Sequence, residues 1–422
     1  MREFNQFKKD LAALISFRSV RGEREDNMPF GKEVYGALSY FLEVAERMGF
    51  NTINYDNYAG EIIFGEGEEI GIIGHLDVVP AGGGWNFDPF TLTIKDGVCY
   101  GRGVQDDKGP LLQCLYALNE LKNSGIAPKR KFRLFVGCNE ETGWEDLSYI
   151  QTKTVLPEYG FSPDGNFPLS YAEKGIGIFE FRIPRLKKFH SLSGGSAVNA
   201  VCAYAKCTED GGADRETAEK YGLRIDGELI ESFGVAAHGS SPHLGKNAML
   251  PLFRYFAEKG ENVGSVIECL FEDRYGISKL ENEQGKVTFS PDLLSEDGEG
   301  IKITCDCRIP APFTLEDVKR IADKFGIPYT AFEKHPPLLV EKEGWFVETL
   351  LSAYNSVTGE NGVPQSMGGS TFARAFKYGC AFGCEFPGID AHIHDANERV
   401  SEDNLEKSYE IYKRAIFALA EK

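Results

Sequence analysis

GIIGHLDVVPAGGGW, at residues 71–85, joins a short apolar run to a polar pair, His75 and Asp77. Such a run predicts a buried strand of an α/β sheet, and these folds place their chemistry at the carboxyl end of the strand. Side chains two apart on a strand project to the same face, so we expect this pair to point into one site. An imidazole beside a carboxylate is a common metal-ligand arrangement, although a strand can also end this way only to make loop hydrogen bonds.

Strands and helices are predicted to alternate on both sides of this stretch. Short apolar runs at 51–64, 70–76 and 131–137 predict strands. Apolar residues recur at helical spacing around 4–15 and 30–48, and a further helix is predicted at 110–122. This alternation is typical of an α/β fold with a mixed, largely parallel sheet.

After residue 180 the pattern changes to strands joined by Gly/Ser-rich turns, which indicates a separate, smaller α+β domain inserted into the first. Thr314 and Asp317 have the spacing of a capping box and predict that a helix begins there. A last helix is predicted from about Asn404 to Leu419, started by the cluster Ser401, Glu402 and Asp403.

Composition excludes several classes of partner. The chain has 422 residues, with 64 acidic and 46 basic side chains and a net charge of −18. This charge argues against nucleic acid or an anionic membrane as a partner. No stretch approaches the ~20 apolar residues of a membrane span. Ten cysteines without a CxxC pair, and an N-terminus without a continuous apolar core, predict a cytoplasmic protein with reduced thiols.

Five acidic or histidine clusters follow apolar runs or lie in predicted turns. They are GHLD at 74–77, QDDKG at 105–109, NEETGW at 139–144, SPDG at 162–165 and AHIHDANE at 391–398. Imidazole with several carboxylates matches the ligands of Zn²⁺, with Mn²⁺ or Co²⁺ as alternatives. Carboxylates gathered in one cleft repel one another unless cations neutralise them.

The motifs GHLDVVPAGGGW, YGRGVQDDKGP, GCNEETGW, FSPDGNFPLSYAEKG and HDANE occur in this order from residue 74 to residue 398. Together they resemble the di-zinc metallopeptidase family of dipeptidase V, carnosinase, aminoacylase and succinyl-diaminopimelate desuccinylase, and most of all the dipeptidase V type. The resemblance implies a catalytic domain at residues 1–180 and 311–422, interrupted by a lid domain at 181–310.

The resemblance also implies a ligand set for two divalent metal ions. His75 and Asp164 would bind one ion, Glu141 and His394 the other, and Asp106 would bridge both. In the family pattern two residues separate a histidine from Asn-Glu, which selects His394.

Three neighbouring side chains receive other roles. By the same resemblance Glu140 would be the general base and Asp77 the carboxylate that supports the histidine at position 75. Asp107 is expected only to cap the following helix. His392 is kept as the alternative ligand, because it would share a face with the histidine at position 394 if that segment is extended.

A second set of residues matches the family's substrate contacts. The loop AAHGSSPHLG resembles the family's lid loop, and its histidine could donate a hydrogen bond to the developing oxyanion. An arginine suits a terminal carboxylate, and the glycines of MGGSTFAR would allow their backbone to approach the substrate. The asparagine and the arginine could instead be structural. The set is Asn199, His238, Arg308, Gly368, Gly369 and Ser370.

The implied activity is hydrolysis of dipeptides that carry a free C-terminal carboxylate, through a metal-bridging hydroxide. The alternative within the family is an N-acyl amino acid amidohydrolase of the aminoacylase or desuccinylase type. A non-catalytic binding protein and a nuclease or phosphoesterase are rivals; the complete ligand set argues against the first and the charge of −18 against the second. The lid is shorter than expected for dipeptidase V relatives, which leaves open a monomer or a homodimer through the lid.

Overall fold

The structure, a computed structural model, describes residues 2–422, and for Arg2 and Glu3 it describes the backbone alone. In chain order the elements begin with α1 (Arg2–Ser16), α2 (Lys32–Arg47), β1 (Asn51–Tyr55), β2 (Ala59–Phe64), β3 (Glu68–His75), β4 (Thr93–Lys95), β5 (Val98–Tyr100), α3 (Lys108–Asn123), β6 (Arg130–Gly137), α4 (Glu145–Lys153), β7 (Tyr159–Ser162) and β8 (Ser170–Glu173).

The middle of the chain is richer in strands. Its elements are β9 (Gly175–Ile183), β10 (Phe189–Gly194), β11 (Tyr204–Glu209), α5 (Arg215–Lys220), β12 (Arg224–Asp226), β13 (Leu229–Phe233), α6 (Met249–Glu258), α7 (Gly264–Val266), β14 (Glu281–Asn282), β15 (Gly285–Lys286), β16 (Thr288–Asp297), β17 (Gly300–Ile309), α8 (Leu315–Ala322) and β18 (Tyr329–His335). The chain closes with β19 (Leu338–Leu339), α9 (Trp345–Thr358), β20 (Gln365–Met367), β21 (Tyr378–Ala381), β22 (Arg399–Ser401) and α10 (Glu402–Glu421).

Capping residues and a first-turn proline mark the N-termini of three helices. The capping box at Thr314 is confirmed, because its side chain accepts from the amide of Asp317 and the Asp317 carboxylate accepts from the Thr314 amide. Ser401 caps α10 by accepting from the amide of Asn404. The helix predicted from Pro110 is α3, which begins two residues earlier and holds the proline in its first turn.

Two compact units make up the chain. The first contains the chain up to Tyr171, then Val340–Gln365 and Thr371–Lys422. The second contains Ala172–Leu339 and Ser366–Ser370.

The sheet of the first unit runs in the order β1-β2-β6-β3-β7-β21, and β21 continues antiparallel to β8. It is mixed, as predicted, and the four central strands β6, β3, β7 and β21 pair in parallel. A small sheet, in which β5 lies between β22 and β4, joins the C-terminal segment to the segment before α3. The helix α3 packs against α1, α10 and β3, and its own residues are largely buried.

The second unit has its own antiparallel sheet, in the order β12-β13-β11-β10-β16-β17-β9-β18. This unit extends beyond the predicted insertion of 181–310 at both ends. The reason is that β9 pairs with both β17 and β18, so strands on either side of the predicted boundaries belong to one sheet. The helix α8, predicted with the main domain, therefore lies in the second unit.

None of the helices in residues 2–422 combines the length and the apolar character needed to cross a membrane.

Candidate metal centre

Three parallel strands of the first unit end at the same edge of the sheet. β3 ends at His75 and runs parallel to β6 on one side and to β7 on the other. The chain beyond β6 carries Glu140 and Glu141, and the chain beyond β7 carries Asp164. The parallel order of the strands therefore gathers side chains that lie far apart in the sequence.

Asp106 lies between two imidazoles. Its Oδ1 is 3.0 Å from Nε2 of His75, and its Oδ2 is 2.9 Å from Nε2 of His394. Each imidazole also faces a second carboxylate: Asp164 Oδ2 lies 3.7 Å from the first ring, and Glu141 Oε2 lies 3.2 Å from the second. Asp106 thus directs one oxygen at the His75–Asp164 pair and the other oxygen at the His394–Glu141 pair.

Potential ligand atoms form two overlapping groups, each with all atoms within 4.8 Å of one another. One group is His75, Asp106 and Glu141, and the other is His75, Glu140 and Asp164. The second group contains Glu140, which the sequence analysis reserves for acid–base chemistry. Its carboxylate is therefore close enough to the other ligand atoms to act in either capacity.

The His75 ring fits a cation better than it fits its protein neighbours. Its Nδ1 lies 2.9 Å from the main-chain oxygen of Asp77, which suits a ring N–H that donates there. The buried Nε2 makes no hydrogen bond of good geometry and faces carboxylate oxygens. In that tautomer Nε2 carries a lone pair, and a lone pair facing carboxylates is repelled by them unless a proton or a metal cation lies between. The donor set of imidazole nitrogen and carboxylate oxygen suits Zn²⁺ or another divalent transition metal.

The charges of this cluster are unbalanced. Burial and the charge of Asp106 raise the pKa of Glu141 to about 7 and raise the pKa of Asp164. Burial also raises the pKa of Glu140 well above its usual value. Burial lowers the pKa of His394, but Asp106 and Glu141 outweigh that effect and raise it to about 11. These shifts are the response of crowded carboxylates, and divalent cations would relieve the repulsion.

Asp77 contacts the end of β3 and the loop that follows β6. Its carboxylate accepts from the amides of Glu140 and Glu141, each at 3.1 Å. Its main-chain oxygen, rather than its carboxylate, makes the shorter contact with the His75 ring. The side chain therefore orients the turn that carries the two glutamates, whereas its predicted support of the histidine stays a prediction.

The capping role expected for Asp107 is wrong. The residue stands at the N-cap position of α3, but its side chain accepts no hydrogen bond from that helix. Its Oδ2 instead accepts from the amide of His75 at 3.2 Å, which draws this fully buried carboxylate toward the end of β3.

Of the two C-terminal histidines, only His394 lies against the carboxylates of Asp106 and Glu141. The His392 ring contacts the main-chain oxygen of Ala396 at 3.1 Å and Asp390 at 3.4 Å. The extended segment required for both rings to share a face is absent here, because the two histidines have φ angles of 56° and 63°.

The predicted substrate contacts all lie in the second unit, where several of them are linked. The buried Arg308 donates Nε to Asp306 at 2.8 Å and Nη1 to the main-chain oxygen of Gly368 at 3.1 Å. Gly369 and Ser370 follow in the same short segment. The arginine is thus held by a carboxylate and by the glycine-rich loop.

The lid loop meets the same cluster. Gly239 donates to the main-chain oxygen of Asn199 at 2.7 Å, and a Cβ at Gly239 would lie 2.4 Å from Oδ2 of Asp306. His238 Nδ1 lies 2.7 Å from the hydroxyl of Ser240. Only glycine fits at position 239, because a side chain there would collide with the buried carboxylate.

Two buried acids at the centre were not singled out in the sequence analysis. Asp146, in the first turn of α4, accepts from the amides of Cys138 and Asn139 at 2.6 and 2.8 Å and so holds the segment before Glu140. Glu398 holds the segment before α3. The motif HDANE contained a signal for Glu398, whereas no motif marked Asp146.

Comparisons with known proteins identify the family of this chain. The sequence model of peptidase family M20/M25/M40 matches residues 71–418. The chain is 35% identical to a Beta-Ala-Xaa dipeptidase of Lactobacillus delbrueckii subsp. lactis, over 97% of this chain and 95% of that protein. It is 30% identical to the putative dipeptidase YtjP of Bacillus subtilis, over 100% and 98%. The structure of human carnosine dipeptidase 1 shares the fold, with a TM-score of 0.61, 14% identity and coverage of 99% and 97%.

Proposed function

We propose, from the premise that this chain belongs to peptidase family M20/M25/M40 and is a metal-dependent dipeptidase, that two divalent cations lie on either side of Asp106. His75 and Asp164 would hold one cation, and Glu141 and His394 the other. The observation that carries the proposal is that the two oxygens of Asp106 face two different imidazoles at 3.0 and 2.9 Å. Zn²⁺ is the proposed metal, with Mn²⁺ or Co²⁺ as alternatives.

When bound, the two cations would polarise the scissile carbonyl and make a water molecule acidic enough to ionise near neutral pH. Glu140 is the proposed general base, which takes the proton of the attacking water and gives it to the leaving nitrogen. Burial keeps the pKa of this carboxyl high, which suits a group that must both accept and release a proton. Asp77 orients the backbone of Glu140 and so aims the base.

The substrate proposed is a dipeptide with a free C-terminal carboxylate. Its support is the identity with a Beta-Ala-Xaa dipeptidase over nearly the whole of both chains. Arg308 and the backbone of Gly368, Gly369 and Ser370 are the proposed carboxylate contacts, since a guanidinium and glycine amides are suitable donors. His238 is the proposed oxyanion donor, and Asn199 is a further proposed substrate contact.

We also propose that the protein works in the cytoplasm, as a monomer or as a homodimer through the lid. The support for a reducing compartment is that all ten cysteines are buried and that the sequence has no CxxC pair. We propose no nucleic-acid partner, because the net charge of −18 would repel a phosphate backbone.

The test is hydrolysis of a panel that contains free dipeptides, a tripeptide and matched N-acyl amino acids. Protein is freed of metal and reconstituted separately with Zn²⁺, Mn²⁺ and Co²⁺. Cleavage confined to free dipeptides would support the proposal and identify the working metal. Cleavage of the N-acyl compounds with the dipeptides spared would overturn the substrate and favour the amidohydrolase.

A pair of histidine variants tests the metal centre in the same assay. His394→Ala is expected to lose one of two bound cations and most activity. His392→Ala is the matched control, because its ring contacts no proposed ligand, and it should keep both. Equal losses in the two variants would contradict the ligand assignment.

A further inference from the structure

Glu398 is a completely buried carboxylate at the centre of a dense set of hydrogen bonds. Its Oε1 accepts from the amides of Gly103, Gln105 and Asp106 at 3.1, 2.9 and 3.2 Å. Its Oε2 accepts from the amide of Gly103 at 3.1 Å and from Nη1 of Arg102 at 2.8 Å. A single side chain thus receives three main-chain amides and one guanidinium group of the loop that precedes α3.

The ion pair of Arg102 and Glu398 also contacts the loop that carries His394. Arg102 donates Nη2 to the main-chain oxygen of Asp395, the residue after His394, at 3.2 Å. The pairing of β22 with β5 brings the two loops together, since Glu398 directly precedes β22 and the Arg102 loop directly follows β5. The network therefore joins the proposed bridging ligand to a terminal ligand that is almost three hundred residues away.

The geometry of the bridge makes this connection important. Asp106 directs one oxygen at the His75 ring and the other at the His394 ring, so a small displacement of its backbone would lengthen one of these contacts or both. Partners behind the ligands fix ligand orientation, and their loss typically weakens metal binding by about 10–100-fold. Glu398 is bonded to the backbone amide of Asp106 itself and does not reach the centre with its own oxygens.

We infer that Glu398 is a positioning residue, which holds the Asp106 backbone so that its two carboxylate oxygens are directed at both proposed cation sites. The inference rests on the proposed dinuclear centre and adds a residue to which that proposal gives no role. Arg102 completes the arrangement, because it neutralises the charge of Glu398 and lies over the ring of Trp85 at 5.3 Å.

A purely structural ion pair is the competing explanation, and the chain offers a matched control for it. Glu61 is also completely buried in the first unit, and it pairs with Arg133 through both oxygens. The further hydrogen bonds of that arginine go to Glu69, Thr154 and Val155, none of which is a proposed ligand. Glu61→Gln should therefore reduce stability without changing the metal centre.

The experiment measures Zn²⁺ and Mn²⁺ binding to metal-free full-length protein by calorimetry, together with thermal unfolding and steady-state kinetics. Glu398→Gln keeps the shape of the side chain and removes its charge and one acceptor. We expect its cation affinity to fall by about 10–100-fold at one or both sites. We expect kcat to fall more than KM rises, and Glu398→Asp to show a smaller loss because it keeps the charge.

Wild-type affinity in a folded Glu398→Gln protein would overturn the inference. An equal loss of affinity in Glu61→Gln would also overturn it, because the effect would then follow stability alone. If Glu398→Gln does not fold, Glu398→Asp is compared with Glu61→Asp by the same criteria. A wild type that binds two cations but cleaves no dipeptide would overturn the proposed function and leave this inference standing.

Discussion

Glu140 combines two properties that are usually separate in a metal centre. Its carboxylate lies within 4.8 Å of potential ligand atoms of His75 and Asp164, and burial raises its pKa well above the usual value. A carboxylate that binds a cation cannot take a proton at the same time, so the two roles make different predictions for the same substitution.

We expect Glu140→Gln to lower kcat by about 10²–10⁴-fold with both cations still bound, because the amide cannot accept the proton of the attacking water. Kinetics and calorimetric metal titration on the same preparation measure both quantities. Glu145→Gln, an exposed residue of the same segment, should change kcat by less than about twofold. A parallel fall in cation affinity would show instead that Glu140 is a ligand.

Asp292 supplies a pH dependence outside the metal centre. It is buried in β16, accepts from the Ser290 hydroxyl at 2.6 Å through Oδ1 and has no partner at Oδ2. Burial and the charge of Asp306 raise its pKa to about 8. Aspartate in an unfolded chain titrates near ~3.9, so between these values the folded protein holds a proton that the unfolded chain has lost. Asp292 therefore makes stability fall as pH rises from about 4 to about 8.

Asp292→Asn removes this titration, so the difference in unfolding free energy between wild type and variant should fall steadily with pH over that window. Urea unfolding at pH values of about 5 and about 8.5 measures it. Asp297→Asn is the control at the end of the same strand: the Glu299 amide and Arg182 lower the pKa of that carboxyl, so its contribution changes only in acid. A pH-independent difference for Asp292→Asn would contradict the prediction.

Among the elements, β3 and β7 depend on a glycine pair. Gly71 and Gly160 face each other across the two parallel strands, and the ring of Phe376 lies against both. A Cβ would lie 2.3 Å from the ring at the first position and 2.4 Å at the second. The missing side chains allow the aromatic ring to approach the strands whose ends carry the metal centre.

Gly160→Ala is expected to destabilise the protein by about 1–3 kcal/mol, because the buried ring must move to accommodate the methyl group. Chemical denaturation measures the change in unfolding free energy. Gly83→Ala, where no atom lies within 4 Å of the added Cβ, should stay within about 0.5 kcal/mol of wild type. Equal effects at the two positions would argue against the contact with Phe376.

At the scale of the whole molecule, the chain is acidic, and part of its negative charge lies in the carboxylates of the candidate metal centre. The net charge is −18, and the first unit gathers several carboxylates at one sheet edge. Every proposed metal ligand belongs to that unit. Cation binding should therefore stabilise the fold by relieving repulsion between buried charges as well as by mass action.

Removal of metal with a chelator is expected to lower the unfolding temperature. A cation present at a thousandfold excess over its dissociation constant adds about 4 kcal/mol to stability. Calorimetric scans with and without chelator measure the shift, and His394→Ala should show a smaller one because it lacks a proposed ligand. Identical scans of metal-loaded and chelated wild type would contradict the prediction.

Short-range information in the sequence determined the elements and the family. Strand and helix periodicity, the capping box at Thr314 and the last helix after the 401–403 cluster depend on neighbours within a few residues, and the structure confirms them. The motif order predicted the family that the comparisons identify. The motif spacing also selected His394 over His392. Of the two, His394 is the one that contacts the carboxylates of Asp106 and Glu141.

The tertiary structure alone decided how these parts meet. The direction of the two Asp106 oxygens, the turn of Asp107 toward β3 and the bonds of Glu398 to a loop nearly three hundred residues earlier are not encoded in any local pattern. The extent of the second unit likewise follows from the pairing of β9 with β17 and β18. Strand order sets such contacts, because a buried polar group takes whichever partner the packed sheet brings within hydrogen-bond distance.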